Sequence, residues 1–223
     1  MNIISRYVAS RYLASANTIH VKQYPQLVGF AFDDIMRSIY LDGRFEKDEL
    51  RVLAESVFPK LNSNSACLDI GANIGNHSLC FSPFFEQVVA LEPHPITFKL
   101  LEINAGLVNN ITAVNIGASD NKRSIEVSAN KLNQGATSIG KTLTSNAYQV
   151  TFNLAPVDEL DKINSDLPVS FLKIDVEGHE AEALRGAEKV ILAHHPVVAI
   201  EVLPSDIVDG TSEALEVLKR FGY

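Results

Sequence analysis

The chain has 223 residues, of which 46% are hydrophobic and 21% charged, with 11 Phe and a net charge of −8. That length and composition describe one packed globular domain, or one domain with an extension, and exclude a disordered chain. Nineteen basic residues stand against 27 acidic ones with no concentrated basic patch, so a nucleic-acid partner is not expected.

Residues 1–60 predict a mostly helical preface. Ile3, Ile4, Tyr7, Val8 and Tyr12 recur at helical spacing, which reads as a docking helix. The start lacks the basic, apolar and cleavage segments of a signal peptide, and no run approaches the ~20 apolar residues of a membrane span. Lys47–Phe58 is the clearest helix, with Leu50, Leu53, Ala54 and Val57 on one face. Asn62 to Ser65 form a polar linker, and residues 61–223 read as the main domain. Its strands are Cys67–Ile70, Gln87–Leu91, Ile111–Ile116, Val169–Ile174 and Val197–Val202. Its helices are Ile96–Leu107, with Ile96, Leu100, Ile103 and Leu107 as the inner face, then His179–Ala193 and Ser212–Phe221. Strands apolar on both faces and alternating with helices predict a doubly wound, mostly parallel α/β sheet. Ile125 and Val127 alternate with polar residues, as in a hairpin arm, and Asn130–Asn146 read as a loop. Cys67 and Cys80 sit in apolar stretches without metal-ligand spacing and read as reduced core thiols of a cytoplasmic protein.

The first strand runs into Asp69-Ile70-Gly71-Ala72-Asn73-Ile74-Gly75. In an open α/β sheet ligands bind at the carboxyl ends of strands, so a cofactor is expected here. The glycine spacing is G-x-x-x-G, not the G-x-G-x-x-G that cradles a pyrophosphate, and a carboxylate at Asp69 would repel one. S-adenosylmethionine carries no phosphate; its ammonium, sulfonium and ribose diol suit acidic and carbonyl partners. Glu92 ends the second strand and is placed to accept hydrogen bonds from a ribose diol. The expected cofactor-binding set is Asp69, Gly71, Ala72, Asn73, Gly75, Glu92 and Pro93, with Ser119 and Asp120 after strand three beside the adenine. The plainer readings are tight strand–helix packing for the glycines, a cap for Glu92 and a turn pair for Asp120 and Asn121.

Asp175, Glu177, His179 and Glu180 follow the fourth strand and open a helix. Methyl transfer is a direct displacement in which a positioned oxygen meets the methyl carbon, and a neutral hydroxyl benefits from a base. Asp175, Glu177 and His179 are the catalytic candidates: His179 as general base, Asp175 holding the acceptor hydroxyl or orienting His179. Acids at a helix start are favoured whatever the function, which is the plain reading of Glu177 and Glu180. A divalent metal held by Asp175, Glu177 and His179 is the alternative reading of the same cluster, and none is assigned.

These motifs resemble the FkbM-type methyltransferase family. The resemblance runs through Gly43-Arg44-Phe45-Glu46, the glycine turn to His77, Glu92-Pro93-His94-Pro95, Asn133-Gln134-Gly135-Ala136-Thr137-Ser138, Val157-Asp158-Glu159-Leu160 and Lys173-Ile174-Asp175-Val176-Glu177-Gly178-His179-Glu180. The last block is the most specific, and residues 40–223 are covered. The resemblance implies a Rossmann-like methyltransferase fold and S-adenosylmethionine-dependent methylation of a hydroxyl on a sugar or polyketide-like small molecule. The alternatives are an NAD-dependent oxidoreductase or epimerase on a similar sheet, disfavoured by the missing phosphate motif, and a non-catalytic binding module. Only five sheet strands are read before Tyr223, so the sheet is expected to lack its last two strands. Val197–Val202 would then be an edge to be covered by the preface, by a second subunit of a homo-oligomer, or by residues beyond a fragment.

Overall fold

A computed structural model describes residues 2–130, 147–163, 166–202, 206–207 and 210–223. The preface holds α1 (Ile3–His20), α2 (Asp34–Asp42) and α3 (Lys47–Val52), the last continuing as a π turn and a 3-10 turn to Lys60. There follow β1 (Ala66–Ile70), α4 (Asn76–Phe81), β2 (Gln87–Leu91), α5 (Pro95–Ala105), β3 (Ile111–Val114) and β4 (Gly117–Ala118). A hairpin, β5 (Arg123–Asn130) and β6 (Ala147–Ala155), precedes β7 (Val169–Ile174), α6 (Glu180–Gly186), α7 (Glu188–His194), β8 (Val197–Ile200) and α8 (Glu213–Arg220).

The main sheet is parallel throughout, in the order β3-β2-β1-β7-β8. Side chains alternate across it. Leu68, Ile70, Val89, Leu91, Leu172 and Ile174 pack on one face with residues of α6, α7 and α8. Cys67, Val88 and Phe171 point the other way, into a cluster with Leu50, Phe58, Cys80, Phe81 and Phe85. Phe58 anchors that layer, meeting Phe81, Phe85 and Phe171 edge-on at 5.3, 5.2 and 5.0 Å, the geometry the ring quadrupoles favour. The sheet is therefore covered on both sides, and the end of the preface belongs to one of the covers. Both cysteines are buried free thiols, and burial pushes both pKa values up.

Ile125 and Val127 do lie on a hairpin arm: β5 and β6 pair antiparallel, and β4 joins β6 in a second small sheet. Residues 131–146, with the Asn133–Ser138 motif, lie outside the described residues. Strand three is shorter than expected; Ile116 is freed from the sheet and faces the cleft described below. The helix expected over His179–Ala193 is two helices. Gly186 lies against the backbone of Ser119 with no room for a Cβ, and α7 restarts under the Asp158 carboxylate, which accepts from the N–H groups of Lys189 (2.9 Å) and Val190 (3.0 Å).

Two packing expectations fail. The apolar stripe of α1 is not docked on this chain: Ile3, Ile4, Tyr7, Val8 and Tyr12 are all more than half exposed, and α1 buries Ala16 instead. The inner face of α5 is Thr97, Leu101 and Asn104, while Ile96, Ile103 and Leu107 are exposed. The phase is set by His94, whose Nδ1 accepts from the N–H groups of Ile96 and Thr97 at 3.3 Å, and by Asn104, whose amide is needed inside. Asn104 accepts from Val28 N–H (2.7 Å) and donates to the carbonyls of Val28 and Ile74 (2.7 Å each). It thereby ties the preface to the β1–α4 turn. β8 lies at one edge of the sheet, and the preface supplies no strand among the described residues. No helix among them is long and apolar enough to cross a membrane.

Replacing Asn104 by Ala should cost about 2–4 kcal/mol, because three hydrogen bonds are lost and buried backbone groups are left unpaired. Hydrogen exchange should show faster exchange across residues 21–46 with β1, β2 and β7 still protected; uniform protection in the variant would contradict the clamp.

Candidate active site

The carboxyl ends of β1, β2, β7 and β8 open onto a cleft of about 300 Å³, at the low end for small-ligand sites. Its lining brings together Gly71, Ala72, Asn73, Glu92, Pro93, Asp175, Glu177 and His179 from the expected set. It adds residues outside the expected site set: Asp34, Ile35, Phe45 and Glu46 from the preface, Phe152 and Leu154 from the hairpin, and Glu201 beyond β8.

Backbone strain is concentrated here. Among the described residues five non-glycine residues have positive φ, and three of them, Glu46 (52°), Asn73 (51°) and Glu177 (55°), line the cleft. Such conformations cost energy and cluster at functional sites. Gly71, at φ 81°, cannot be replaced: a Cβ there would overlap the carbonyl oxygen of Asp175. That contact lets the turn after β1 press against the end of β7, where Asp175 N–H donates to the Ile70 carbonyl at 3.0 Å.

Glu92 is buried at the end of β2. Its Oε2 accepts from Asn73 N–H (3.0 Å) and its Oε1 from His94 N–H (2.9 Å). Burial pushes its pKa up to about 7, with the two N–H groups and Lys173 opposing. Each oxygen keeps a lone pair for a ligand hydroxyl.

Beneath the cleft, Lys173 places its Nζ 3.2 Å from Asp175 Oδ2 and 3.5 Å from Asp69 Oδ1. Burial disfavours its charge, but the two carboxylates outweigh burial and raise its pKa. Asp175 shows the converse. Burial works against ionisation, yet Lys173 and a hydrogen bond from Glu201 lower its pKa. Glu201 in turn is pushed up to about 7, chiefly by that bond to Asp175, then by burial and the charge of Asp175.

The remaining expected residues do not line the cleft. Asp69 is fully buried, accepts from Ser78 Oγ at 2.5 Å, and does not line the cleft. Gly75, at φ 88°, abuts Leu101 where α4 begins. Ser119 is buried and 3.1 Å from His179 Nε2, while Asp120 pairs outward with Arg123 and Arg185. His179 is thus engaged at both nitrogens, with Glu182 3.5 Å from Nδ1, and burial lowers its pKa. Glu180 accepts from Gly178 N–H at 2.9 Å, the capping role its position suggests. The preface is held at the rim by Asn76, which accepts from Phe45 N–H (3.2 Å) and donates to the Phe45 carbonyl (3.0 Å), and by His77, 3.0 Å from Glu46. Among the described residues no group of three or more His, Cys, Asp or Glu side chains is arranged to hold a metal.

Residues 69–223 match the model of the methyltransferase FkbM domain. The chain belongs to the FkbM methyltransferase family. Its cofactor is S-adenosylmethionine, and the oxidoreductase alternative is not favoured. The chain is 28% identical over 177 residues to the hexuronic acid methyltransferase AglP of Haloferax volcanii, covering 78% of this chain and 70% of that protein. Among solved structures it is similar to methyltransferase FkbM from Methylobacillus flagellatus (21% identity, TM-score 0.47, 84% of this chain), of which it spans 47%. It is also similar to a precorrin-6y C5,15-methyltransferase from Geobacter metallireducens (17% identity, TM-score 0.49, 90% and 83% of the two chains).

The residues present fit this cofactor. Glu92 offers buried acceptors for a ribose diol, the turn at Gly71 admits close approach, and Asp175, Glu177 and Glu201 make the far side of the cleft suited to a cation.

Glu92 also carries a stability cost. Its carboxyl ionises near pH 4.3 when unfolded and near 7 when folded, so the native state holds the extra proton between those values and stability falls as pH rises through that window, by about 4 kcal/mol. Glu92→Gln should therefore raise the unfolding temperature at pH 8 while weakening S-adenosylhomocysteine binding at least tenfold by calorimetry. Binding to the wild type near pH 6.5 should release a proton, seen as heat that depends on the buffer. A Glu92→Gln variant that loses stability at pH 8 and binds normally would overturn this assignment.

Proposed function

We propose that this chain methylates a hydroxyl oxygen of a sugar. The observation that carries the reading is the meeting, in one cleft, of a ribose-type acceptor at Glu92 with a second carboxylate group at Asp175, Glu177 and Glu201. When bound, S-adenosylmethionine supplies an electrophilic methyl group on a sulfonium. Glu92 would hold the ribose hydroxyls of its nucleoside end. Asp175 and its neighbours would face its cationic groups and accept hydrogen bonds from acceptor hydroxyls. Phe152, Leu154 and Ile116 supply an apolar wall that limits water. Rate enhancement then comes mainly from placing the oxygen in line with the methyl carbon.

A sugar acceptor is supported by the relative named for hexuronic acid. Hydroxyls suit the acidic side of the cleft as hydrogen-bond donors, whereas a carboxylate acceptor would meet like charge there. The same charge argues against a nucleic-acid acceptor. The two reduced thiols suit a cytoplasmic setting.

The test is transfer of labelled methyl to a panel of neutral sugars and uronic acids. Label should enter a sugar with equimolar S-adenosylhomocysteine and survive mild alkali, as a methyl ether does. Label released by alkali would mean a methyl ester and would overturn the hydroxyl reading.

A further inference from the structure

The alternation of side chains along the parallel strands builds a polar ladder under the cleft. Asp69 and Lys173 are register partners on β1 and β7, and Lys173 is opposite Ala199 of β8. Two residues further on, the same face carries Gly71, Asp175 and Glu201. The ladder continues past the paired strands, since Asp175 N–H reaches the Ile70 carbonyl and Glu201 N–H the Ile174 carbonyl, at 3.0 and 3.1 Å. Gly71 has no side chain, so Asp175 and Glu201 face the cleft side by side.

Their surroundings differ. Asp175 is tethered from below by Lys173 and stays a carboxylate. Glu201 has no such tether in the ladder and is largely exposed at the cleft mouth. Around it stand Asp175 and Glu177 from the end of β7 and Glu46 from the preface, with Lys173 and Asp69 beneath and His77 of α4 beside Glu46. His179, by contrast, points to Ser119 and Glu182.

Resting on the hydroxyl-methylation reading, we infer that Glu201, rather than His179, accepts the proton of the acceptor hydroxyl, and that Asp175 receives the hydrogen bond of the resulting carboxylic acid. The acceptor oxygen bonds to the methyl carbon, and the carbon–sulfur bond breaks with its electron pair remaining on sulfur. The O–H electron pair stays on oxygen, and the proton moves to Glu201. The charges of the sulfonium and of the Glu201 carboxylate cancel, leaving a thioether, an ether and a neutral acid, and the exposed carboxyl returns its proton to water. A carboxyl titrating near 7 is matched to this task at neutral pH, being a strong enough base yet substantially ionised. His179 becomes a positioning residue that fixes the start of α6 to Ser119, just after β4.

The test has two arms. In cofactor-free protein labelled with ¹³C at glutamate carboxyls, one resonance assigned by its loss in Glu201→Gln should titrate near pH 7. Asp175→Asn should move that titration down towards the ordinary glutamate range while Glu92 is unmoved. A Glu201 that titrates near 4.3 in the wild type would overturn the pair. In turnover, Glu201→Gln should lower kcat by about 10²–10⁴-fold, far more than it weakens S-adenosylhomocysteine binding, and should remove a rise in kcat/KM through pH 7. His179→Gln should lower kcat far less. A Glu201→Gln enzyme keeping more than about a tenth of wild-type kcat would refute the base assignment. Alkali-labile product from the wild type would instead strike the hydroxyl reading, leaving the titration to report on the pair by itself.

Discussion

A single buried ammonium holds the carboxyl end of this sheet together. Lys173 lies on β7 between Asp69 of β1 and Asp175 at its own strand end, where three charged groups are packed in an interior that penalises each alone. The lysine sits within ion-pair distance of both acids, and each has a further task. Asp69 takes the Ser78 hydroxyl and so fixes the first turns of α4 against β1. Asp175 is held as a carboxylate at the cleft floor, and that charge makes Glu201 retain its proton to unusually high pH. The most specific motif in the chain, Lys173 to Glu180, is thus a buried ion-paired lysine followed by residues that line the cleft.

The same end of the sheet is strained. Three left-handed non-glycine residues, one glycine pressed against a carbonyl, and a carboxylate desolvated beneath two backbone N–H groups all meet in one cleft. Such conformations cost energy, and the apolar layers on both faces of the sheet supply the stability that offsets them.

The preface changes what kind of cleft this is. Without it the strand tips would open directly to solvent. With it, Phe45, Glu46, Asp34 and Ile35 form a further wall, fastened by the side-chain amides of Asn76 and Asn104 acting on backbone groups of the preface. Both asparagines lie within the family domain, whereas the segments they grip precede it. Closure and cofactor recognition are therefore built from different parts of the chain.

Much of this was legible in the sequence because it is local. Short apolar runs punctuated by glycine and proline read directly as the five parallel strands, and the phosphate-free turn with Glu92 pointed to a nucleoside without a pyrophosphate. The acid-rich segment after strand four was visible as a candidate site. What stayed hidden depends on contacts between distant elements. The inner face of α5 was misread because Asn104, polar in an apolar stripe, is buried only when Val28 is there to pair with it. Asp69 looked like a ligand and is instead a partner of Lys173, which no spacing reveals because parallel strands join residues a hundred positions apart. Glu201 looked like the end of an apolar strand, and only the register of β8 against β7 sets it beside Asp175. The sequence by itself determined the strand order of chemistry along the chain; the tertiary structure alone decided which acids share a proton, because that depends on distances across the sheet.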